Sequence, residues 1–121
     1  MTTTRSSSTS LGAELIATLR AKRPDIEAVF CNNDDMALGV LFGCQHAGLR
    51  VPEDLGIIGF NDLEMMAAAC PSLTSIRTNR YGIGKTAVDM IRLRLEGQEP
   101  EKPVVDLGFQ LQERQSTARR G

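Results

Sequence analysis

The apolar positions of this chain follow helical and strand periodicities in turn, which predicts alternating helices and strands. Helical spacing begins at Leu11 and ends before Pro24, and it returns over residues 36–47, 63–69 and 81–96. Short apolar runs between these stretches predict strands at residues 28–31, 55–60 and 73–78, and a last strand alternates from Val105 to Leu111. This order of elements predicts an α/β fold with a largely parallel sheet flanked by helices.

Two of the predicted strands end in clusters of Asn and Asp. Asn33 and Asp34 follow the first strand, and Asn61 and Asp62 follow the second. A strand–helix–strand crossover makes the two strands parallel, so both clusters are expected at the carboxyl ends, where open α/β sheets bind ligands. Amide and carboxylate groups suit a polyhydroxylated ligand. The alternative is that these residues only cap a helix, which is the favoured interpretation for Asp34 and Asp35 taken alone.

Length and charge narrow the possible classes of protein. The chain has 121 residues, enough for one small domain or a piece of a larger one, and its net charge of −1 argues against a nucleic-acid surface. It contains no apolar run long enough to cross a membrane. Residues 1–10 lack the apolar segment of a secretory signal, and they are expected to form a disordered lead-in.

The residues that most often carry catalysis or metal ions are few. Three cysteines without a close pair fit neither a disulfide framework nor a zinc site, so each is expected to be a small buried side chain in a reducing compartment, the cytoplasm. His46 is the only histidine. Residues 81–86 resemble a phosphate-binding loop, but Asn79 occupies the place of a required glycine. We therefore predict no enzyme, no metal site and no cofactor.

Several segments, in order, resemble LacI/GalR-type transcriptional regulators. The matching family patterns are N-D-x-x-A-x-G, G-hydrophobic-x-V-P-x-D, G-(Y/F)-D-D, P-x-L-T-(T/S) and a closing R-x-S-T. In this chain they correspond to residues 33–39 (NDDMALG), 48–54 (GLRVPED), 59–62 (GFND), 71–75 (PSLTS) and 114–117 (RQST). Asn61, with Leu63 and Glu64 after Asp62, is most similar to the gluconate-utilisation repressor branch.

The resemblance implies part of a type I periplasmic-binding-protein-like fold, in which two lobes enclose an effector and follow a helix-turn-helix. By this resemblance, residues 11–72 form the C-terminal lobe, and residues 73–121 form the inter-lobe crossover, a helix of the N-terminal lobe and a returning strand. The DNA-binding helix-turn-helix is absent from the chain. The helix over residues 81–96 is therefore expected to lack the lobe that covers its apolar stripe.

The same resemblance suggests roles for individual residues. Asn33 and Asn61 fall where family members contact the effector, and Asp62 is the adjacent candidate. The family usually has Asp at position 61, so effector preference is expected to differ. Leu38 and Ala69 fall in the dimer interface of the C-terminal lobe. For Leu38, a plain core position is the open alternative.

These inferences predict an effector-binding and dimerisation fragment of a repressor that responds to a small sugar or sugar acid, with gluconate one candidate. Operator DNA would be a partner only through the missing helix-turn-helix. An acidic effector also needs a cation, for which arginines of the missing lobe are one expected source, so the fragment alone should bind such effectors weakly or not at all. The alternative is a periplasmic sugar-binding protein of a transporter, which the missing signal segment and the unpaired cysteines disfavour.

Overall fold

A computed structural model describes residues 1–118 as a four-stranded sheet flanked by helices. The strands are β1 (Ala28–Phe30), β2 (Gly56–Phe60), β3 (Thr74–Thr78) and β4 (Phe109–Gln112), in the spatial order β1-β2-β3-β4. β1 pairs with β2, and β2 with β3, in parallel. The helices are α1 (Thr9–Lys22), α2 (Asp34–His46), α3 (Glu64–Ala68) and α4 (Arg80–Leu95), followed by a 3₁₀ turn at Gln115–Thr117. The predicted α/β class and the parallel crossover are confirmed.

The chain divides into two compact units. One unit comprises Met1–Arg77 and the chain from Leu111 onward, and the other comprises Thr78–Gln110. The division falls after Arg77 instead of after residue 72, and the C-terminal segment rejoins the first unit. Residues 119–121 of the predicted range 73–121 lie outside the described residues. The assignment of the two units to different lobes stays a prediction.

The hydrophobic core of the first unit lies where α2 packs against β2 and α1. Its fully buried side chains include Leu41, Cys44, Leu55, Ile57, Met66 and Leu73. Gly39, the last residue of the NDDMALG segment, allows α1 and α2 to approach closely. A Cβ atom at Gly39 would lie 3.0 Å from the Cα of Gly12 and 2.8 Å from the carbonyl carbon of Thr9. The helix pair therefore requires a residue without a side chain at this crossing.

Two expectations about the ends of the chain need correction. The lead-in is shorter than predicted, because the Ser8 hydroxyl accepts a hydrogen bond from the Leu11 amide and α1 begins at Thr9. The last strand is also shorter. Val105 and Leu107 alternate with polar residues, but they lie in irregular chain, and only Phe109–Gln112 forms a strand.

The cysteines are also not all alike. Cys31 and Cys44 are buried as expected, whereas Cys70 is exposed, because it lies in the surface turn that follows α3.

The helix α4 exposes its apolar stripe, as expected. Every residue of α4 is at least partly exposed, and Val88, Ile91 and Leu95 expose 58%, 58% and 83% of their surfaces. None of the described helices combines the length and the apolarity needed to cross a membrane.

Candidate functional site

The buried carboxylate of Asp34 joins the two polar clusters at the carboxyl ends of β1 and β2. Asp34 is completely buried. Its Oδ2 accepts a hydrogen bond of 2.6 Å from the Leu63 amide, and its Oδ1 accepts one of 2.7 Å from the Ser75 hydroxyl. The Ser75 Oγ in turn accepts a 3.0 Å hydrogen bond from the Asp62 amide. The start of α2 and the turn after β2 are therefore held together through one side chain.

Asn33 is the residue that caps α2. Its backbone is extended, and its Oδ1 accepts a 2.9 Å hydrogen bond from the Met36 amide. The interpretation of Asp34 as a cap was therefore wrong, because its side chain turns inward to Leu63 and Ser75. The Asn33 side chain is partly exposed, and a carboxamide that caps through its oxygen still has an NH₂ group for a second partner.

The turn after β2 holds two consecutive residues in an unusual backbone conformation. Asn61 has φ +112° and Asp62 has φ +55°, which are backbone angles that residues other than glycine seldom adopt. The backbone N–H of Asn61 donates a 2.9 Å hydrogen bond to the backbone carbonyl of Ile76 in β3, which fixes the turn against the sheet. Such strained positions are concentrated at functional sites. The partly exposed Asn61 is therefore held in a fixed orientation at the strand end.

Asp62 forms ion pairs with two arginines. Arg77 Nε donates a 2.7 Å hydrogen bond to Oδ2, and Arg114 Nη1 lies 2.7 Å from Oδ1. The Asp62 side chain is only 4% exposed, that of Arg114 17% and that of Arg77 53%. Burial raises the pKa of the Asp62 carboxyl, but the two guanidinium groups lower it more, and the net pKa lies below its ordinary value. Asp62 is therefore a carboxylate at neutral pH.

Sequence reasoning identified Asn33, Asn61 and Asp62, and the structure brings all three to one edge of the sheet. It missed the roles of Asp34, Ser75, Arg77 and Arg114. Arg77 and Arg114 lie in or beside segments that resemble the family, but their contact with Asp62 joins residues far apart in the chain. Hydrophobic periodicity carries no signal for such contacts.

A groove beside this edge does not include the three predicted residues. A groove of about 450 Å³ runs between the N-terminal segment, α1 and β1, and its lining includes Leu15, Val29 and Phe30 but none of Asn33, Asn61 and Asp62. Across residues 1–118, no group of three His, Cys, Asp or Glu side chains is arranged to hold a metal ion. The site is a polar edge of the sheet with the partly exposed Asn33 and Asn61 and the exposed guanidinium of Arg77.

The two residues expected at a dimer interface lie partly exposed on the first unit. Leu38 in α2 and Ala69 after α3 both pack against the buried core and keep part of their surfaces accessible. Phe42, one helical turn beyond Leu38, is 41% exposed. Core and interface roles for Leu38 both remain compatible with this position, so the interface stays a prediction.

Comparison with known proteins shows the family. Residues 2–117 match the periplasmic binding protein-like domain. The chain is 41% identical over 115 residues to the HTH-type transcriptional regulator GntR of Pseudomonas aeruginosa, covering 95% of this chain and 34% of that protein. It thus spans about a third of that relative's length.

Solved structures of regulators have the same fold. The transcription regulator GntR from Chromobacterium violaceum superposes with a TM-score of 0.86 at 42% identity, over 93% of this chain and 42% of that one. A LacI family regulator from Arthrobacter sp. FB24, solved in complex with lactose, gives a TM-score of 0.80 at 27% identity, over 92% and 42% of the two chains. The chain therefore belongs to the periplasmic binding protein-like domain family, in the form found in LacI-type transcriptional regulators.

Proposed function

We propose that this chain is the effector-binding and dimerisation part of a LacI-type repressor that responds to a small sugar or sugar acid. The observation that carries the proposal is the joining of two amide and carboxylate clusters through Asp34 at the carboxyl ends of parallel strands. Open α/β sheets bind their ligands at this edge.

The chemistry of the edge fits a polyhydroxylated ligand. Each sugar hydroxyl donates one hydrogen bond and accepts others, and the carboxamides of Asn33 and Asn61 offer both donors and acceptors. The Asp62 carboxylate is nearly buried, so Asp62 contributes to the site through its ion pairs with Arg77 and Arg114. The lactose complex of the Arthrobacter relative supports a sugar as the ligand class.

The alternatives fit less well. A periplasmic binding protein of a transporter would share the fold, but the most similar proteins reported above are transcriptional regulators. For the same reason we place the whole protein in the cytoplasm, with operator DNA bound by a helix-turn-helix outside this chain.

We propose no catalytic role for this chain. His46 is the only histidine, and it ends α2 about 18 Å along the helix axis from Asp34.

Variants of the two asparagines test the proposal. Asn33→Ser keeps a helix cap but removes the NH₂ donor, and Asn61→Ala removes the amide in the strained turn. Losing one buried hydrogen-bond partner costs about 1–3 kcal/mol, so each change should weaken binding of the neutral sugar D-glucose about five- to 150-fold. The measurement is an NMR titration of the isotope-labelled chain at millimolar ligand.

The exposed neighbour Asn32 provides the matched control. Asn32→Ala removes the same group beside the site, and it should leave the affinity unchanged. Equal affinity of Asn33→Ser, Asn61→Ala and the unchanged chain would place the binding site elsewhere.

A further inference from the structure

The turn after β2 keeps an unfavourable backbone conformation that its surroundings have to maintain. Asn61 and Asp62 both have positive φ, and neither is a glycine. Such conformations persist only where neighbouring groups over-determine them. The backbone N–H of Asn61 bonds to the Ile76 carbonyl and that of Asp62 to the Ser75 hydroxyl, so both N–H groups are held by β3. The side chain of Asp62 is a further anchor of the turn.

The two arginines that hold the Asp62 carboxylate differ in burial. Arg77 donates to Oδ2 with more than half of its side chain exposed, whereas Arg114 lies against Oδ1 with its side chain mostly covered. Exposed ion pairs stabilise little, because water replaces the lost partner. Removing one member of a buried pair leaves the other charge buried without compensation. Arg114 is therefore the stronger of the two restraints on the carboxylate.

Arg114 is itself fixed at both its backbone and its guanidinium. Its backbone N–H donates a 2.9 Å hydrogen bond to the Thr74 hydroxyl, and its Nη1 donates one of 2.9 Å to the Leu73 carbonyl. The position of the guanidinium is thus set by the start of β3 as well as by Asp62. A rotation of the turn to negative φ would carry the Asp62 carboxylate away from a guanidinium that these bonds keep in place.

We infer that Arg114 is a positioning residue, which maintains the positive-φ turn through Asp62 and so orients Asn61. The inference rests on the proposed function for the role of Asn61 as an effector contact. Without Arg114, the turn should relax to negative φ in most molecules, and the Asn61 side chain should take another direction. The apparent affinity for the effector then falls in proportion to the fraction of molecules that keep the turn.

A purely structural role for Arg114 predicts a different result. Arg114 joins the C-terminal segment to Leu73 and Thr74, so its removal lowers the free energy of unfolding in either case. If it only joins these segments, the folded molecules of the variant keep both the turn and the affinity for the effector. If it positions the turn, the backbone of Asn61 and Asp62 changes in molecules that are otherwise folded.

NMR of the isotope-labelled chain measures the turn without any ligand. Positive φ brings the amide and α protons of one residue close together, so the unchanged chain should give strong intraresidue NOEs at Asn61 and Asp62. Arg114→Gln should weaken both NOEs in a spectrum that otherwise stays folded. It should also lower the affinity for D-glucose about tenfold, the loss expected if about one molecule in ten keeps the turn. Arg114→Lys, which keeps the charge but loses the planar guanidinium, should fall between the two.

Two further variants provide the controls. Gln115→Ala removes the 2.9 Å hydrogen bond from the Ser72 amide beside Arg114 without touching Asp62, and it should leave the NOEs and the affinity unchanged. Arg77→Gln makes the same chemical change at the more exposed arginine on the same carboxylate. It should weaken the NOEs less than Arg114→Gln does.

The NOEs and the affinity separate this inference from the proposed function. Strong NOEs and unchanged affinity in folded Arg114→Gln would overturn the inference and leave the proposed function intact. Weak NOEs in the unchanged chain, or an equal loss in Arg77→Gln, would also overturn it. If Arg114→Gln fails to fold, the same readouts in Arg114→Lys decide. If D-glucose does not bind the unchanged chain, the proposed function fails, and the NOEs alone decide whether Arg114 holds the turn.

Discussion

Asp62 combines near-complete burial with a negative charge at neutral pH. An isolated carboxylate in this position would be strongly disfavoured. Two guanidinium groups, each 2.7 Å away, compensate for the lost water and hold the pKa of Asp62 below its ordinary value despite its burial. The ion pairs also connect β3 and the C-terminal segment to the strained turn after β2.

This arrangement predicts a loss of stability in acid. A carboxyl whose pKa is lower in the folded than in the unfolded chain stabilises the fold fully above its unfolded pKa of about 4, and less as pH falls through its folded pKa. The difference in unfolding free energy between the unchanged chain and Asp62→Asn should therefore be larger at pH 7 than at pH 3. Urea unfolding at both values measures it. A difference independent of pH would contradict this account of Asp62.

Residue types in the sequence predicted which residues share this edge of the sheet, but not the contacts that each of them makes. Asn33, Asn61 and Asp62 follow apolar runs, and a strand end is visible in the pattern of the chain. Asp34 is the buried group because it bonds to Leu63 and Ser75, which are 29 and 41 residues away in the chain. The spacing of residues within one segment of the sequence does not indicate which of the two side chains is buried.

At the scale of elements, the C-terminal 3₁₀ turn connects the strands that carry the site. The Ser116 hydroxyl is completely buried, donates a 2.6 Å hydrogen bond to the Ile57 carbonyl in β2 and accepts a 2.8 Å hydrogen bond from the Thr74 amide in β3. The Ser116 amide also donates to the Ser72 carbonyl at 2.9 Å. One turn therefore satisfies polar groups of both central strands and brings Arg114 to Asp62.

Removing this hydroxyl should destabilise the chain. Ser116→Ala leaves the Ile57 carbonyl and the Thr74 amide without this partner, and each buried unsatisfied group costs about 1–3 kcal/mol. We expect the free energy of unfolding to fall by at least the lower of these values in urea denaturation. Ser10→Ala, an exposed change in α1, should have little effect. Equal stability of the two variants would show that the turn contributes little.

Hydrophobic periodicity predicted the elements where it extends over several turns. The helix predicted over residues 81–96 is observed at Arg80–Leu95, and the turn into it carries the cap Asn79. The 3₁₀ turn was missed because three residues are too short to show a period. The last strand was predicted too long because alternation at Val105 and Leu107 continues beyond the segment that pairs in the sheet.

On the scale of the whole molecule, two helices expose apolar surface. The apolar stripe of α4 is exposed, and the chain covers only about a third of the length of its GntR relative. α2 adds the partly exposed Leu38 and the exposed Phe42 on one helical face. We propose that a second copy of the chain covers the α2 face, as the family resemblance suggests.

Sedimentation tests this dimer. Phe42→Asp changes only an exposed position, so it should yield folded monomers, and Leu38→Asp should do the same by burying a charge in the contact. Ala17→Asp, on the exposed side of α1, should remain dimeric. If Phe42→Asp stays dimeric while Leu38→Asp unfolds, Leu38 belongs to the core and the interface lies elsewhere.

The central claim is that the Asn33 and Asn61 edge binds a polyhydroxylated effector, and the side-chain amide signals of the four asparagines test it most directly. Titration of the isotope-labelled chain with D-glucose should shift the NH₂ signals of Asn33 and Asn61 and leave those of Asn32 and Asn79 in place. Shifts confined to Asn32 and to residues of the groove along β1 would contradict the account, because they would place the ligand in that groove instead of at the strand ends.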